Sequence, residues 1–403
     1  MPEAVLVSMM FAARLRTVFT RAKLSPILRA PAIGDGTQNR KSGENRLVGR
    51  KIRPMYDFNS FDLIIDARSP REYEEDHIPG AINLPVVDND EYAEVGTLHR
   101  TDPLAAYQLG ACYSLRNIAR HIEAHISKLP ARSKILVYCF RGGKRSRVWF
   151  DVLDTIGYKV EKLKGGWKTY RGWVNEQLAT MPCNFRYIVV SGATGSGKTR
   201  LLTALDREGA QVLDLEGLAT HRGSIIGAVP GKPQPTQKMF DSLLRLRLSE
   251  FDPSRPVWVE SESKKIGQVQ VPEALLTTMR KGPVITVSAS MAQRVQLLRE
   301  DYRHFEEDPE SLIERLIHLR PLVGGPEFDE WKVLAERRQV PELFERLMRN
   351  HYDPSYLRSI RRNYPDIDKA PTVVLEDLSL EGLQPVARTI RTQFEETFMA
   401  PAA

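Results

Sequence analysis

The stretch I-L-V-Y-C-F-R-G-G-K-R-S, residues 135–146, changes periodicity part-way along. Ile135, Leu136, Val137 and Tyr138 form an apolar run that predicts a buried strand, and Cys139 stands at its end. Beyond a short loop with two glycines, Val148, Trp149, Val152, Leu153 and Ile156 share one face of a helix. Such a loop closes onto a helix N-terminus, where free backbone N–H groups and the helix dipole favour an anion. A thiolate is such an anion, so the position favours the nucleophilic form of the cysteine. Gly142 and Gly143 let successive amides curl into a nest, and Arg141, Lys144 and Arg145 add positive charge before Ser146. A cysteine after a buried strand is otherwise an inert core thiol. The basic glycine loop argues instead for a reactive sulfur beside an oxyanion-sized pocket.

The spacing from Cys139 to Arg145 is C-x5-R, which tyrosine phosphatases and rhodanese-like cell-cycle phosphatases also show. The flanks decide between readings. Upstream, L-I-I-D-A-R-S-P-R-E-Y-E-E-D-H-I-P-G-A-I-N-L-P (residues 63–85) resembles the opening signature of rhodanese domains. Downstream, Gly157-Tyr158 and L-K-G-G-W (residues 163–167) resemble the closing strand and its Gly-Gly turn. A helix starting at Pro70, a second marked by Leu115, Ile118, Ala119, Ile122 and Ile126, and a strand at 160–163 complete an alternating α/β domain over residues 57–180. Asp66, after the first strand, reads as a structural hydrogen-bond partner rather than a general acid.

A length of 403 residues suggests two or three domains, and 42% apolar residues suffice for real cores. No run approaches the ~18 apolar residues of a membrane span, so no membrane partner is expected. Cys112, Cys139 and Cys183 are too scattered for a disulfide framework or a zinc knuckle, which points to a reducing compartment; the roles of Cys112 and Cys183 stay open. The net charge of +7 permits a nucleic-acid partner without demanding one. Residues 1–56 form a basic N-terminal extension: Arg14, Arg16, Arg21, Lys23 and Arg29 precede Asp35 with Glu3 as the sole earlier acid. That composition resembles an organellar transit peptide; the preferred reading is a disordered leader, with Met55 available as a start, and a cytoplasmic protein.

R-Y-I-V-V-S (residues 186–191) is a second strand leading into G-A-T-G-S-G-K-T, residues 192–199. This satisfies the P-loop pattern with its strand before and an apolar helix face (Leu201, Leu202, Leu205) after. Amides around Gly192, Gly195, Ser196 and Gly197 would cradle a diphosphate, Lys198 would reach its terminal phosphate, and Thr199 would hold Mg²⁺. The strand at 257–260 supplies Glu260, or Glu262 just beyond, near that metal; a glutamate there is also an ordinary solvated strand end. D-L-E-G-L-A-T-H-R-G-S-I-I-G (residues 214–227) carries Glu216, His221 and Arg222 and reads equally as a substrate or metal loop and as a long connection. The P-loop domain runs over residues 181–290, and a helical C-terminal region over 291–403. There Val295, Leu298, Tyr302 and Phe305, then Leu312 and Leu316, then Leu343, Phe344 and Leu347 mark helical faces. Arg358, Arg361 and Arg362 between Tyr356 and Tyr364 are either a solvated face or a contact for an RNA backbone and an unpaired base.

Taken together, C-F-R-G-G-K-R-S, S-G-A-T-G-S-G-K-T, D-L-E-G-L-A-T-H-R-G-S, Q-P-T-Q (residues 234–237) and H-Y-D-P-S-Y (residues 351–356) resemble the tRNA 2-selenouridine synthase family from about residue 57 to 364. Two features depart from it: Lys144 stands where an apolar side chain is expected, and the N-terminal extension has no counterpart. The resemblance implies a transferase acting on wobble 2-thiouridine of tRNA. It exchanges sulfur for selenium from selenophosphate through an S-geranyl intermediate made with geranyl diphosphate. Cys139 would bear a perselenide-type intermediate, residues 141–146 would hold selenophosphate, and the P-loop would bind the prenyl diphosphate, which explains a phosphate cradle without assuming ATP hydrolysis. A selenophosphate-supplying enzyme is an implied partner. The competing readings are a rhodanese-type sulfurtransferase with a regulatory P-loop and a C-x5-R phosphatase or nucleotide kinase.

Overall fold

The computed structural model of the chain describes residues 57–399. The transit-peptide and leader readings fall on residues 1–56, outside the described residues. β1 (Leu63–Asp66) follows the first apolar run, and α1 (Pro70–Glu75) opens on a proline, where a missing N–H costs no helical hydrogen bond. β2 (Ile82–Asn83), α2 (Asn89–Leu98) and α3 (Pro103–Ala124) lead to β3 (Lys134–Tyr138). α4 (Lys144–Ile156) returns the chain to β4 (Lys159–Lys162), and α5 (Gly166–Thr180) leaves the sheet. The strands lie in the order β2-β1-β3-β4, all parallel. β3 is therefore central and buried on both faces, which is why its sequence reads as an unbroken apolar run. The stripe that α3 buries passes through Ala106, Ser114 and Ile118, so Leu115, expected in the core face, lies on its flank and is exposed.

The second sheet begins with β5 (Tyr187–Ser191), all five residues buried, followed by α6 (Lys198–Arg207) and β6 (Gln211–Leu213). α7 (Leu215–Ala219), α8 (Gln237–Ser249) and β7 (Val257–Glu260) come next. A small antiparallel hairpin of β8 (Lys265–Ile266) and β9 (Val269–Gln270) precedes α9 (Glu273–Met279) and β10 (Val284–Ser288). The helical stretch then contains α10 (Met291–Asp301), α11 (His304–Glu307), α12 (Pro309–Leu316), α13 (Arg320–Val323), α14 (Gly325–Glu336), α15 (Val340–Leu347) and α16 (Asp353–Asn363). The region expected to be helical also contains β11 (Thr372–Val374), before α17 (Leu380–Met399). β11 joins the parallel order β11-β10-β5-β7-β6, so the chain returns to the P-loop sheet.

One apolar cluster spans both halves, with Tyr138, Trp167 and Tyr170 from the first and Phe240, Leu244 and Leu276 from the second. Burial of this continuous surface is what joins the two sheets. The architecture is thus a rhodanese-like α/β domain, a P-loop α/β domain and C-terminal helices. Among the described residues, no helix is long and apolar enough to cross a membrane.

Candidate active site

Cys139 follows β3 and is buried, with 3% of its surface exposed. Its sulfur lies 3.2 Å from the Ser146 hydroxyl, which also lies within 3.2 Å of the Gly143 carbonyl as a donor. α4 begins at Lys144 with Gly143 as its cap and no side chain bonded to its leading amides. Free N–H groups at the start of a helix are where an anion is favoured. The loop is moulded from behind by Gly166 (φ +62°): a Cβ there would stand 2.1 Å from the Cys139 carbonyl and 2.6 Å from the Gly142 nitrogen. Next to it, the Trp167 and Lys168 amides donate to the Cys139 and Phe140 carbonyls at 2.9 and 3.0 Å. The L-K-G-G-W turn therefore holds the sulfur loop in place.

The three cations of the loop have different partners. Arg145 makes a two-pronged pair with Glu72, at 2.5 and 3.1 Å. Burial pulls the Glu72 carboxyl up, yet the Arg145 guanidinium outweighs it and holds Glu72 below its usual range. The Lys144 ammonium sits 3.4 Å from the Tyr107 ring centre, and the Arg141 guanidinium 5.5 Å from that of Phe140. Asp66 is fully buried and bound by the Arg68 guanidinium at 2.6 to 3.1 Å, the structural partnership expected of it.

At the P-loop, Gly197 (φ +86°) caps α6, and Lys198 folds back so that its ammonium donates to the Gly192 and Ala193 carbonyls at 3.0 and 3.4 Å. Burial lowers the pKa of Lys198, but the Glu260 carboxylate, with Tyr356, Glu216 and Glu262, outweighs this and holds it above its usual value. Glu216, Glu260 and Glu262 bring one carboxylate oxygen each within 4.8 Å of one another. Burial, then repulsion by Glu260, pushes Glu262 up to about 7. Glu216 is raised by burial and by both other acids, and Glu260 by burial against the pull of Lys198 and a hydrogen bond from Thr199. Glu260 is 4% exposed and its Oε1 has no hydrogen-bond partner. Three hard oxygen donors beside Thr199, one of them buried and unpartnered, fit a divalent cation such as Mg²⁺.

A cavity of about 520 Å³ opens on the P-loop. Lys198, Thr199, Glu216, Arg222 and Glu260 line it, together with Glu262, the alternative metal residue. The rest of its wall mixes aromatic and aliphatic side chains, Leu298, Tyr302, Tyr352, Tyr356, Ile360 and Tyr364 among them, with serines, threonines, Asp301 and Asn363. Arg222 donates to the Asp301 carbonyl at 2.5 Å and lies over the Tyr302 ring. His221 is absent from this lining: its ring is buried against Gly267 and Gly227, its Nδ1 is unpartnered, and burial lowers its pKa. The 214–227 segment thus brings Glu216 and Arg222 to the cavity and turns His221 away.

Residues 53–172 match the family described as "Rhodanese-like domain", and residues 185–312 that described as "tRNA 2-selenouridine synthase AAA domain". The tRNA 2-selenouridine synthase of Bdellovibrio bacteriovorus is 31% identical over 343 residues, covering 75% of this chain and 89% of that protein. The chain belongs to the tRNA 2-selenouridine synthase family. Synthases of Cupriavidus necator (32% identical, 74% of this chain, 88% of that protein) and Nitrosomonas europaea (34% over 244 residues, 59% and 63%) are also similar. Membership makes the protein a tRNA-modifying transferase.

Several residues of this synthase carried no signal of their role in the sequence. The Tyr356 hydroxyl accepts from the Gly192 amide at 2.7 Å and hydrogen-bonds the Ser191 hydroxyl; it lies inside the family motif H-Y-D-P-S-Y, which was the available clue. Arg294 donates to the Thr194 carbonyl at 2.9 Å and pairs with Asp353 at 2.6 Å, tying α10 and α16 to the P-loop. Within Q-P-T-Q, Gln234 donates to the Ala219 and Ile266 carbonyls, and Thr236 both caps α8 and donates to the Glu75 carbonyl of the rhodanese-like half.

Proposed function

We propose that this enzyme converts wobble 2-thiouridine of tRNA into 2-selenouridine in two steps, using geranyl diphosphate and selenophosphate. In the first, the thiocarbonyl sulfur bonds to the prenyl C1, the C–O bond to diphosphate breaks, and the base loses its N3 proton. In the second, the selenium of a selenophosphate held at the Cys139 loop bonds to C2 while the C2–S bond breaks and geranylthiol leaves with a proton; water then cleaves the Se–P bond, releasing phosphate and leaving 2-selenouridine. Prenylation makes a poor sulfur leaving group into a good one.

The observation that carries this reading is the cavity at the P-loop: phosphate-binding groups share it with Leu298, Ile360 and four tyrosines. A diphosphate bearing an apolar tail suits the aromatic and aliphatic part of this wall, so the P-loop serves as a diphosphate grip. Lys198 and the amides of residues 195–198 bind and orient the diphosphate. Glu216, Glu260, Glu262 and Thr199 would hold a magnesium ion, which would neutralise diphosphate charge. The amides at the start of α4, with Arg141, Lys144 and Ser146, take the selenophosphate anion, and Arg145 is held in register by Glu72. In functional terms residues 57–180 deliver selenium, 181–290 grip the diphosphate, and 291–403 supply the rest of the wall and the arginines of α16. A selenophosphate-supplying enzyme is the natural partner, and the location is cytoplasmic.

Mass spectrometry of tRNA nucleosides from cells with and without the protein, grown with selenium, tests the proposal. Selenouridine disappears without the protein and its geranylated precursor is absent as well; unchanged selenouridine overturns it.

A further inference from the structure

α2 is a ten-residue helix with no buried residue, packed on α3, and its Tyr92 meets Arg145 from the first turn of α4. A helix that hides so little contributes little to the core, so its surface is the part to explain. Two tyrosines stand there, Tyr92 on α2 and Tyr107 on α3, each 49% exposed. Each carries a cation from the sulfur loop over its ring: the Arg145 guanidinium 5.4 Å from the centre of Tyr92, and the Lys144 ammonium 3.4 Å from that of Tyr107. His99 fixes the second ring from outside, its Nε2 lying 3.2 Å from the Tyr107 hydroxyl.

We propose that Tyr92 and Tyr107 form a stacking platform for unpaired bases of an RNA loop, placing one of them at the mouth of the Cys139 loop. This rests on the tRNA reading above and assigns to it a subsite and its residues. RNA is recognised at unpaired positions largely by bases stacking on aromatic rings, while neighbouring cations take the backbone phosphates. Two half-exposed rings are such a surface; Lys144 supplies the cation, Arg145 being paired with Glu72, and a cation behind a ring strengthens its contact with a polar base. On α2, Glu91 accepts from the Asp88 amide and Asn117, and Glu94 from the Tyr113 hydroxyl; both keep their charge but are held in fixed positions. The platform also accounts for Lys144, which departs from the apolar residue expected at that position. An apolar side chain could pack on Tyr107, but only a cation holds the ring and offers charge to a phosphate.

The test measures binding of an anticodon stem-loop RNA with one 2-thiouridine to the full chain by fluorescence anisotropy. Tyr92→Ala with Tyr107→Ala lowers affinity roughly ten- to a hundredfold, the range for losing base–aromatic stacking. Tyr92→Phe with Tyr107→Phe stays within about twofold, because the rings remain, and Leu104→Ala, an exposed apolar change on α3, has no effect. Iodoacetamide labelling of Cys139, followed by peptide mass, reports whether the sulfur loop is intact; should the double variant unfold, Tyr92→Ala alone decides. Equal affinity of the alanine variants and the parent chain overturns the platform while leaving the tRNA reading standing. A parent chain that does not bind the RNA overturns both.

Discussion

The Asp76 carboxylate accepts a hydrogen bond from Trp167 Nε1 at 2.8 Å, and its other oxygen accepts from Ser242 at the same distance. Trp167 sits directly behind the sulfur loop and Ser242 lies on α8, so one buried acid links the two halves of the enzyme. Arg171 adds charge from 3.7 Å while pairing with Asp241 at 2.9 Å. Burial pushes the Asp76 pKa up, and its partners Ser242, Arg171 and Trp167 only partly counter it.

Asp76→Ala leaves a buried indole N–H, a buried hydroxyl and part of the Arg171 charge without an acceptor. Each buried group left unsatisfied costs about 1–3 kcal/mol, so the change should lower stability by roughly 2–5 kcal/mol in urea unfolding. Asp76→Asn keeps one acceptor and should cost less. Because the folded pKa is raised, ionising Asp76 opposes folding: its contribution is most favourable below the unfolded carboxylate value and falls as pH rises towards the folded one. Asparagine should therefore remove that segment of the pH–stability curve, and an unchanged curve would contradict the assignment.

The Glu216, Glu260 and Glu262 cluster makes a second pH prediction. With the Glu262 pKa raised to about 7, the metal-free protein loses stability as pH rises from the ordinary glutamate range towards 7. A divalent cation needs the ionised carboxylates, so its affinity should rise over the same interval. Thermal shift with and without magnesium chloride at pH 6 and pH 8 reads both effects. Magnesium should raise Tm more at pH 8, and Glu262→Gln should remove most of that difference.

Both loops were legible in the sequence because their residues are neighbours in the chain: Cys139 to Ser146 and Gly192 to Thr199 each form one strand–loop–helix turn, and turn chemistry is local. What escaped notice joins distant positions. Asp76 and Ser242 are 166 residues apart, Arg145 and Glu72 are 73 apart, and Tyr356 reaches Gly192 across 164. No periodicity announces such pairs. The counter-ion of Arg145 changes its reading from a free cation to a braced one. His221 shows the converse: a polar residue in a glycine-rich loop reads as a ligand, but the backbone turns it under Gly267. β11 was too short, at three residues between helices, to stand out from its surroundings.

Lys198 provides the prediction most specific to the P-loop. Its ammonium now donates to the Gly192 and Ala193 carbonyls and lies close enough to Glu260 for that acid to hold its charge. A diphosphate would draw it off these carbonyls into charge-assisted hydrogen bonds, worth about 1.5–3 kcal/mol each. Lys198→Ala should weaken geranyl diphosphate binding roughly ten- to a hundredfold by calorimetry, with the selenophosphate site untouched. Unchanged affinity would remove the P-loop from the prenyl step.

Cys139→Ser separates the two steps. The serine hydroxyl fits the same buried position near Ser146, so the fold and the P-loop cavity should survive, but an alcohol at neutral pH is neither ionised nor a selenium carrier. Prenylation, which uses the cavity at Lys198, should continue, and the second step should stop. Nucleoside mass spectrometry of tRNA from cells carrying this variant should then show S-geranyl-2-thiouridine accumulating with selenouridine absent. Accumulation of plain 2-thiouridine instead would place Cys139 in the prenyl step, and normal selenouridine would remove it from catalysis altogether.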